Sequence, residues 1–296
     1  MANEAYYTSE HYNQQRRLLI NGDPRALICF CVDVSQSMDE WWIEKGGLRR
    51  NTGSGFSDGH NVNYFNIDDI RPGYAHYKKI DKLNETLCSL LNELKDDRDL
   101  CRQVAVSIIT YSRFASVRYD FLDCEALNVQ SCKCDVESAE TAMGDGIRTS
   151  LAQLDEMQNA LRNADNDYYT PILVFMTDGT PTDDPRTEFA EVRERVQTGK
   201  LFLFPLGIGN GADMVRLRDM FPVGKVPQRF SERYKMIVPE DYSAIFKEIK
   251  DHVKRKQSVM VSEGNSIQSA PVIEDINVNN NQTGESIMYK FLSGLA

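Results

Sequence analysis

Continuous apolar runs alternate along the chain with segments in which apolar residues recur every three or four positions. The apolar runs are 26–32, 104–111, 171–177 and 201–206, with shorter strand patterns at 115–121 and 234–238. Helical spacing occurs at 80–94, 143–161, 188–196, 212–220 and 241–254. Continuous apolar runs are typical of strands covered on both faces. The alternation predicts an α/β fold with a doubly wound, mostly parallel central sheet, helices on both faces and one antiparallel edge strand at 115–121.

Oxygen-bearing side chains stand where three loops leave this predicted sheet. They are Asp33, Ser35 and Ser37 after the first strand, Thr141 before the helix at 143, and Asp178 after the strand 171–177. Any one of these segments alone is typical of a turn or a helix cap. Because the carboxyl ends of parallel strands share one edge, where ligands bind in such folds, we expect the three segments to converge. Hard oxygen donors without His or Cys favour Mg²⁺, Ca²⁺ or Mn²⁺, and Mg²⁺ or Mn²⁺ is the expected cofactor.

The pattern Asp33-x-Ser35-x-Ser37, followed by Thr141 and by Asp178 after a buried strand, resembles the metal-ion-dependent adhesion site of von Willebrand factor A domains. The resemblance covers about residues 25–257. It implies that Ser35, Ser37 and Thr141 offer hydroxyl groups to a divalent cation. It implies too that Asp33 and Asp178 bind the cation directly or through water, and that a partner protein completes the shell with a carboxylate.

Two further segments resemble one particular branch of this family. The run 180–185 and the glycine-containing segment 206–214 resemble the TerY-like branch of the family, which is linked to tellurite resistance and stress phosphorylation. The glycines of the second segment do not match the dinucleotide-binding spacing, so a tight strand-to-helix turn is predicted there. The chain also has no Walker A motif for nucleotide phosphates.

The sequence predicts three parts: a polar N-terminal extension at 1–24, the von Willebrand factor A domain at 25–257, and a largely flexible tail at 258–296. The domain carries an insertion, residues 40–78, which leaves from the expected metal edge and is longer than an ordinary connection. The insertion is either a lid or partner surface, or it is anchored by a small apolar core of its own. The predicted partner-binding residues are Trp41, Trp42, Tyr64 and Phe65.

Composition excludes several classes of function. The net charge of −10, with no basic stripe, argues against nucleic-acid binding. The polar N-terminus and the lack of about 18 consecutive apolar residues predict a cytoplasmic protein without a membrane span. An odd count of seven cysteines argues against a disulfide framework. Cys124, Cys132 and Cys134 lack a fourth ligand at zinc-site spacing.

Two functions follow from these observations. The favoured hypothesis is a non-enzymatic, cation-dependent protein-binding module, acting as a cytoplasmic scaffold in a bacterial stress-response or tellurite-resistance complex. Its expected partner is a protein that presents a carboxylate, with a kinase, a phosphatase or another component of a stress complex as candidates. The alternative is a metal-dependent hydrolase of phosphate esters, for which His60 or His76 of the insertion would serve as general base.

Overall fold

The computed structural model describes residues 17–20, 24–45, 47, 54–57, 60–63, 67–209, 212–228, 230, 234–236, 243–244, 247 and 249. Its strands are β1 Ala26–Asp33, β2 Trp41–Ile43, β3 Ser54–Ser57, β4 His60–Asn63, β5 His76–Lys78, β6 Val104–Tyr111, β7 Ala115–Asp123, β8 Ile172–Thr177, β9 Phe202–Ile208 and β10 Lys235–Met236. Its helices are α1 Lys79–Asp96, α2 Arg98–Gln103, α3 Met143–Asn163, α4 Arg186–Gln197 and α5 Met214–Arg218.

A six-stranded sheet with the order β10-β9-β8-β1-β6-β7 forms the centre of the described part. The strand β1 pairs in parallel with β6 on one side and with β8 on the other. The strand β7 runs antiparallel to β6 at the edge. All eight residues of β1 are buried, which is why this segment is a continuous apolar run. The predicted fold class is confirmed: a mostly parallel sheet with one antiparallel edge strand.

The sheet winds outward from β1 in two directions. The chain passes from β1 to β6 and β7, and then returns through α3 to β8, β9 and β10 on the other side of β1. Right-handed crossovers in opposite directions place helices on opposite faces of a sheet. The helix α3 contacts β1, β6, β7 and α4, so α3 and α4 lie on the same face. The order of strands therefore reverses between β1 and β8, the position at which α/β sheets bind ligands.

The helix α3 approaches the sheet closely at Gly146, beneath the carboxyl end of β1. A Cβ atom at Gly146 would lie 2.8 Å from Cδ1 of Tyr111 and 3.1 Å from Sγ of Cys31. The Tyr111 ring stacks on Phe175, with centroids 5.5 Å apart, and its hydroxyl donates to the Met176 carbonyl oxygen at 3.0 Å. This contact ties β6 to β8 across β1.

Several sequence predictions fall partly or wholly outside the described residues. The predicted helix 241–254 is described only at isolated positions, and the tail 258–296 lies outside. The helix predicted at 212–220 is shorter, because only Met214–Arg218 is α-helical.

All seven cysteines are free and buried. Along the described residues, no helix has the combined length and apolar character needed to cross a membrane.

Substituting Gly146 by Ala should destabilise the fold by about 1–2 kcal/mol, because the added methyl group would be forced against Tyr111 and this overpacking outweighs the better helix propensity of Ala. Urea unfolding followed by circular dichroism measures the change. Glu156→Ala, on the exposed side of the same helix, is the matched control and should change stability by less than about 0.5 kcal/mol. A Gly146→Ala protein at least as stable as the wild type would contradict the close packing.

Candidate functional site

The carboxylate of Asp33 lies fully buried at the carboxyl end of β1. Its Oδ1 accepts a hydrogen bond from the backbone N–H of Ser35 at 2.9 Å, and its Oδ2 accepts one from the Thr177 hydroxyl at 2.7 Å. Burial, reinforced by the negative charge of Asp178, raises the pKa of Asp33 to about 7. A cation near these two carboxylates would act in the opposite direction by favouring their ionised forms.

The hydroxyl groups after β1 connect it to the end of β8. Ser35 is extended, and Ser37 lies in the 3₁₀ helix Gln36–Asp39 that follows it. The Oγ atoms of Ser35 and Ser37 lie 2.9 Å apart, and Ser37 Oγ donates to Asp178 Oδ1 at 2.6 Å. Asp178 is buried at 2% exposure. The structure thus joins Ser35, Ser37 and Asp178 in one hydrogen-bonded group.

Thr141 reaches the same edge from the loop before α3. Two backbone hydrogen bonds hold this loop on the extension of β1: Glu137 N to Val34 O at 2.8 Å, and Gln36 N to Ser138 O at 2.7 Å. A Cβ atom built on Gly179 would lie 3.8 Å from Thr141 Oγ1 and 3.9 Å from Ser37 Oγ. The hydroxyls of Thr141 and Ser37 therefore both lie beside Gly179.

Lys79, the first residue of α1, belongs to the same cluster but was not predicted from the sequence. Its Nζ donates to Asp178 Oδ2 at 2.7 Å, to Glu40 Oε2 at 2.9 Å and to the Ser37 carbonyl oxygen at 3.2 Å. Burial disfavours the charged ammonium, but the carboxylates of Asp178 and Glu40 outweigh burial and raise the pKa of Lys79. The signal in the sequence is its helical phase, since Lys79 lies four residues before the buried Leu83.

Two short strands close the insertion where it leaves the site, and we call them the neck. In the neck, β2 pairs antiparallel with β5. Trp42 stacks on Tyr77 with ring centroids 5.0 Å apart, and Trp41 lies 5.7 Å from the His76 ring. Both tryptophans are half-buried. They thus contact aromatic residues of the insertion itself. The other two predicted partner-binding residues, Tyr64 and Phe65, lie outside the described residues.

The acidic residues after Asp178 support the backbone around the site. Asp183 Oδ2 accepts hydrogen bonds from the backbone N–H groups of Gly144 at 2.8 Å and Asp145 at 3.2 Å, which stabilises the start of α3. Asp184 is exposed and pairs with Arg186 at 2.5 Å.

Gly209, directly after β9, has a φ of +71°, in the left-handed region that favours glycine. A Cβ atom there would lie 3.2 Å from Lys79 Cε, so the glycine leaves room for this lysine.

The assembled cluster consists of oxygen donors from three loops and one ammonium group. The donors are the carboxylates of Asp33 and Asp178 and the hydroxyls of Ser35, Ser37 and Thr141. Within the described residues, no group of three or more His, Cys, Asp or Glu side chains is placed to hold a metal ion. A site with two carboxylates and neutral hydroxyls suits a hard cation that keeps several water ligands.

Several solved structures are similar to this chain. With the pilus adhesin SpaC of Lactobacillus rhamnosus GG in its open conformation, the TM-score is 0.51 at 13% identity, over 79% of this chain and 30% of the adhesin. The PilB minor pilin of Streptococcus sanguinis gives 0.47 at 14% identity, over 80% and 63% of the two chains. Proximal thread matrix protein 1 of the mussel byssus, solved with a zinc-occupied MIDAS motif, gives 0.45 at 15%, over 80% and 46%. The chain spans less than two thirds of each of these proteins.

No curated protein sequence matches the chain. A sequence profile, by contrast, matches residues 73–249, which is more than half of its length. The matched segment contains Thr141 and Asp178, and β1 with Asp33 lies before it. The profile describes the von Willebrand factor type A domain. The chain belongs to the von Willebrand factor type A domain family.

Proposed function

We propose that this protein is a cation-dependent protein-binding module. Asp33, Asp178 and the hydroxyls of Ser35, Ser37 and Thr141 hold a divalent cation, and an acidic side chain of a partner protein binds to it. The main support for this proposal is the convergence of the three loops. It is clearest in the hydrogen bonds that connect Ser35 through Ser37 to Asp178. A binding role is also what membership of this family implies.

The chemistry of the donors supports Mg²⁺ or Mn²⁺ as the cation. All five are hard oxygen ligands, and only two of them are charged. Because the Lys79 ammonium already pairs with Asp178, the two carboxylates would leave one positive charge of a bound divalent ion uncompensated, and this charge would attract an external carboxylate. Such a contact in a partly desolvated interface should contribute much more than an exposed ion pair, which is worth about 0–1 kcal/mol.

The surface around the site offers apolar contact area to such a partner. Phe114 forms the tip of the β6–β7 hairpin and is 70% exposed, and Val215 in α5 is 78% exposed. Both follow the carboxyl ends of parallel strands, and they therefore lie on the edge that carries Asp33 and Asp178. Large exposed apolar residues next to a polar centre are typical of protein interfaces. The half-buried Trp41 and Trp42 in the neck would extend this surface.

The cellular setting that we propose is a cytoplasmic stress-response or tellurite-resistance complex, with this chain as the scaffold. The resemblance of the segments 180–185 and 206–214 to the TerY-like branch motivates this proposal. Seven free thiols fit a reducing compartment. A kinase or phosphatase that exposes an acidic segment is the kind of partner that such a complex would supply.

The hydrolase hypothesis has less support than the binding hypothesis. Hydrolysis requires a general base within reach of the attacking water. The ring of His76 is held at the neck, where its Nδ1 lies 3.1 Å from the Tyr74 carbonyl oxygen. The side chain of His60 lies outside the described residues. No observation on the described residues therefore favours catalysis over binding.

Asp33→Asn should weaken Mg²⁺ binding by about 100-fold or more, because affinity at such sites depends on the number of charged ligands. Asn has nearly the same shape and keeps an acceptor for the Ser35 N–H, so the fold should persist. Isothermal titration calorimetry measures affinity, and circular dichroism checks folding. Asp184→Asn is the matched control, because it removes an exposed charge from the loop after Asp178. Unchanged Mg²⁺ affinity in a folded Asp33→Asn protein would exclude this site.

Thr141→Val should reduce Mg²⁺ affinity by about 10-fold, because the isosteric side chain lacks the hydroxyl that we assign to the cation. Thr141→Ser keeps the hydroxyl and should bind nearly as the wild type does. The same titration compares the two variants. Equal affinities for Val and Ser would remove the loop before α3 from the site.

Partner capture tests the function itself. The immobilised wild-type chain, exposed to lysate of its native host, should retain a set of proteins in Mg²⁺ that is lost in EDTA and with Asp33→Asn, but kept with Asp184→Asn. Mass spectrometry identifies these proteins, and replacing their acidic residues by amides then locates the bridging carboxylate. A retained set that is the same with Mg²⁺, with EDTA and with Asp33→Asn would show that the cation is not part of the interface.

A further inference from the structure

Lys79 places a buried positive charge directly beside the proposed cation site. Its side chain is 8% exposed, and its Nζ lies 2.7 Å from Oδ2 of Asp178, whose side chain is fully buried. The second carboxylate partner, Glu40, is 2.9 Å away but 65% exposed, so solvent screens its charge. The strong partner of the ammonium is therefore Asp178.

The two oxygens of Asp178 face different partners. Oδ1 accepts from Ser37 Oγ at 2.6 Å, on the side of the other proposed ligands, and Oδ2 accepts from Lys79. Lys79 is thus a charged neighbour of a ligand and has no lone pair to offer a cation. Asp33 and Asp178 together carry two negative charges when ionised, and Lys79 offsets one of them. The three side chains around a divalent cation at this site therefore carry one net negative charge.

The ammonium is also attached to the insertion. Glu40 and Lys79 stand at its two ends, and the Lys79 N–H donates to the Glu40 carbonyl oxygen at 3.2 Å. The next residues on either side, Trp41 and Lys78, are paired in the neck. Because Glu40 bonds Lys79 through both its carboxylate and its carbonyl oxygen, a shift of the ammonium from Asp178 toward Glu40 would act on the neck.

Building on the proposed cation-dependent function, we propose that Lys79 is an internal counter-charge that lowers the affinity of the site for divalent cations and links cation binding to the neck of the insertion. A cation at Asp178 repels the ammonium, which then depends more on Glu40. Because such coupling is reciprocal, a partner that moves the neck and draws Lys79 from Asp178 strengthens cation binding.

The test compares two Lys79 variants with a matched control. Lys79→Met removes the charge with little change of volume, and Lys79→Gln removes it while keeping a donor for Asp178 Oδ2. Lys78→Met removes the same charge from the adjacent residue, whose Nζ pairs with exposed Asp39 at 2.6 Å. Calorimetric titration with MgCl₂ should give affinities about 10-fold or more above wild type for both Lys79 variants and an unchanged value for Lys78→Met.

A second readout follows the neck itself. Both tryptophans of the chain, Trp41 and Trp42, lie in the neck, so emission excited at 295 nm reports on it alone. Mg²⁺ should change this emission in the wild type, and the change should be lost in Lys79→Met. Emission that does not respond to bound Mg²⁺ in the wild type would overturn the link to the insertion.

The outcomes separate this inference from the proposed function. If the wild type binds Mg²⁺ and the Lys79 variants bind it no more tightly, the counter-charge role is wrong while cation-dependent binding stands. If neither the wild type nor any variant binds Mg²⁺, the proposed function itself fails. If Lys79→Met unfolds without Mg²⁺ because Asp178 loses its partner, Lys79→Gln still gives the comparison, and refolding of Lys79→Met by Mg²⁺ would support the proposal.

Discussion

Two carboxylates buried at one sheet edge require positive charge nearby, and this requirement organises the site. Asp33 and Asp178 are both almost inaccessible to solvent. Their hydrogen-bond donors are hydroxyls, a backbone N–H and the Lys79 ammonium. These donors leave enough uncompensated burial and repulsion to raise the pKa of Asp33 to about 7. In a sheet whose core is otherwise apolar, a buried polar cluster of this kind lowers the stability of the fold. The cluster therefore indicates a functional rather than a structural role.

The topology explains how distant parts of the chain form one site. Because the order of strands reverses between β1 and β8, the connections after these two neighbouring strands begin side by side at the carboxyl edge, where Ser37 donates a hydrogen bond to Asp178. The insertion enters and leaves at this edge through neighbouring residues, as the backbone hydrogen bond between Glu40 and Lys79 shows. A loop whose ends lie together can be long without disturbing the sheet. The insertion nevertheless separates β1 from the rest of the domain in sequence, and the family profile matches only from residue 73 onward.

The four central strands β1, β6, β8 and β9 could be predicted because each is a buried apolar run, whereas the edge strands β7 and β10 were predicted from shorter patterns. The convergence at Asp33 and Asp178 could be predicted as well, since it needs only the rule that parallel strands end at one edge. Lys79 was missed because the search for helical periodicity considers apolar residues only. A lysine four residues before Leu83 is then interpreted as the polar first residue of a helix. The pairing of β2 with β5 was missed because Trp41–Ile43 is short and lies inside an apparent loop. The packing of Gly146 on Tyr111 depends on tertiary distance, which no local pattern encodes.

The net charge of the site decides how a cation and a partner would depend on each other. With Lys79 in place, a divalent cation is left with one net positive charge after Asp33 and Asp178 are counted, and a partner carboxylate neutralises that remainder. In the proposed function, each would therefore raise the affinity of the other, by the same factor in both directions. A site with a third carboxylate instead of the lysine would hold the cation more firmly and attract the partner less. Moderate cation affinity is thus the physical condition under which an acidic partner contributes most to the assembled complex.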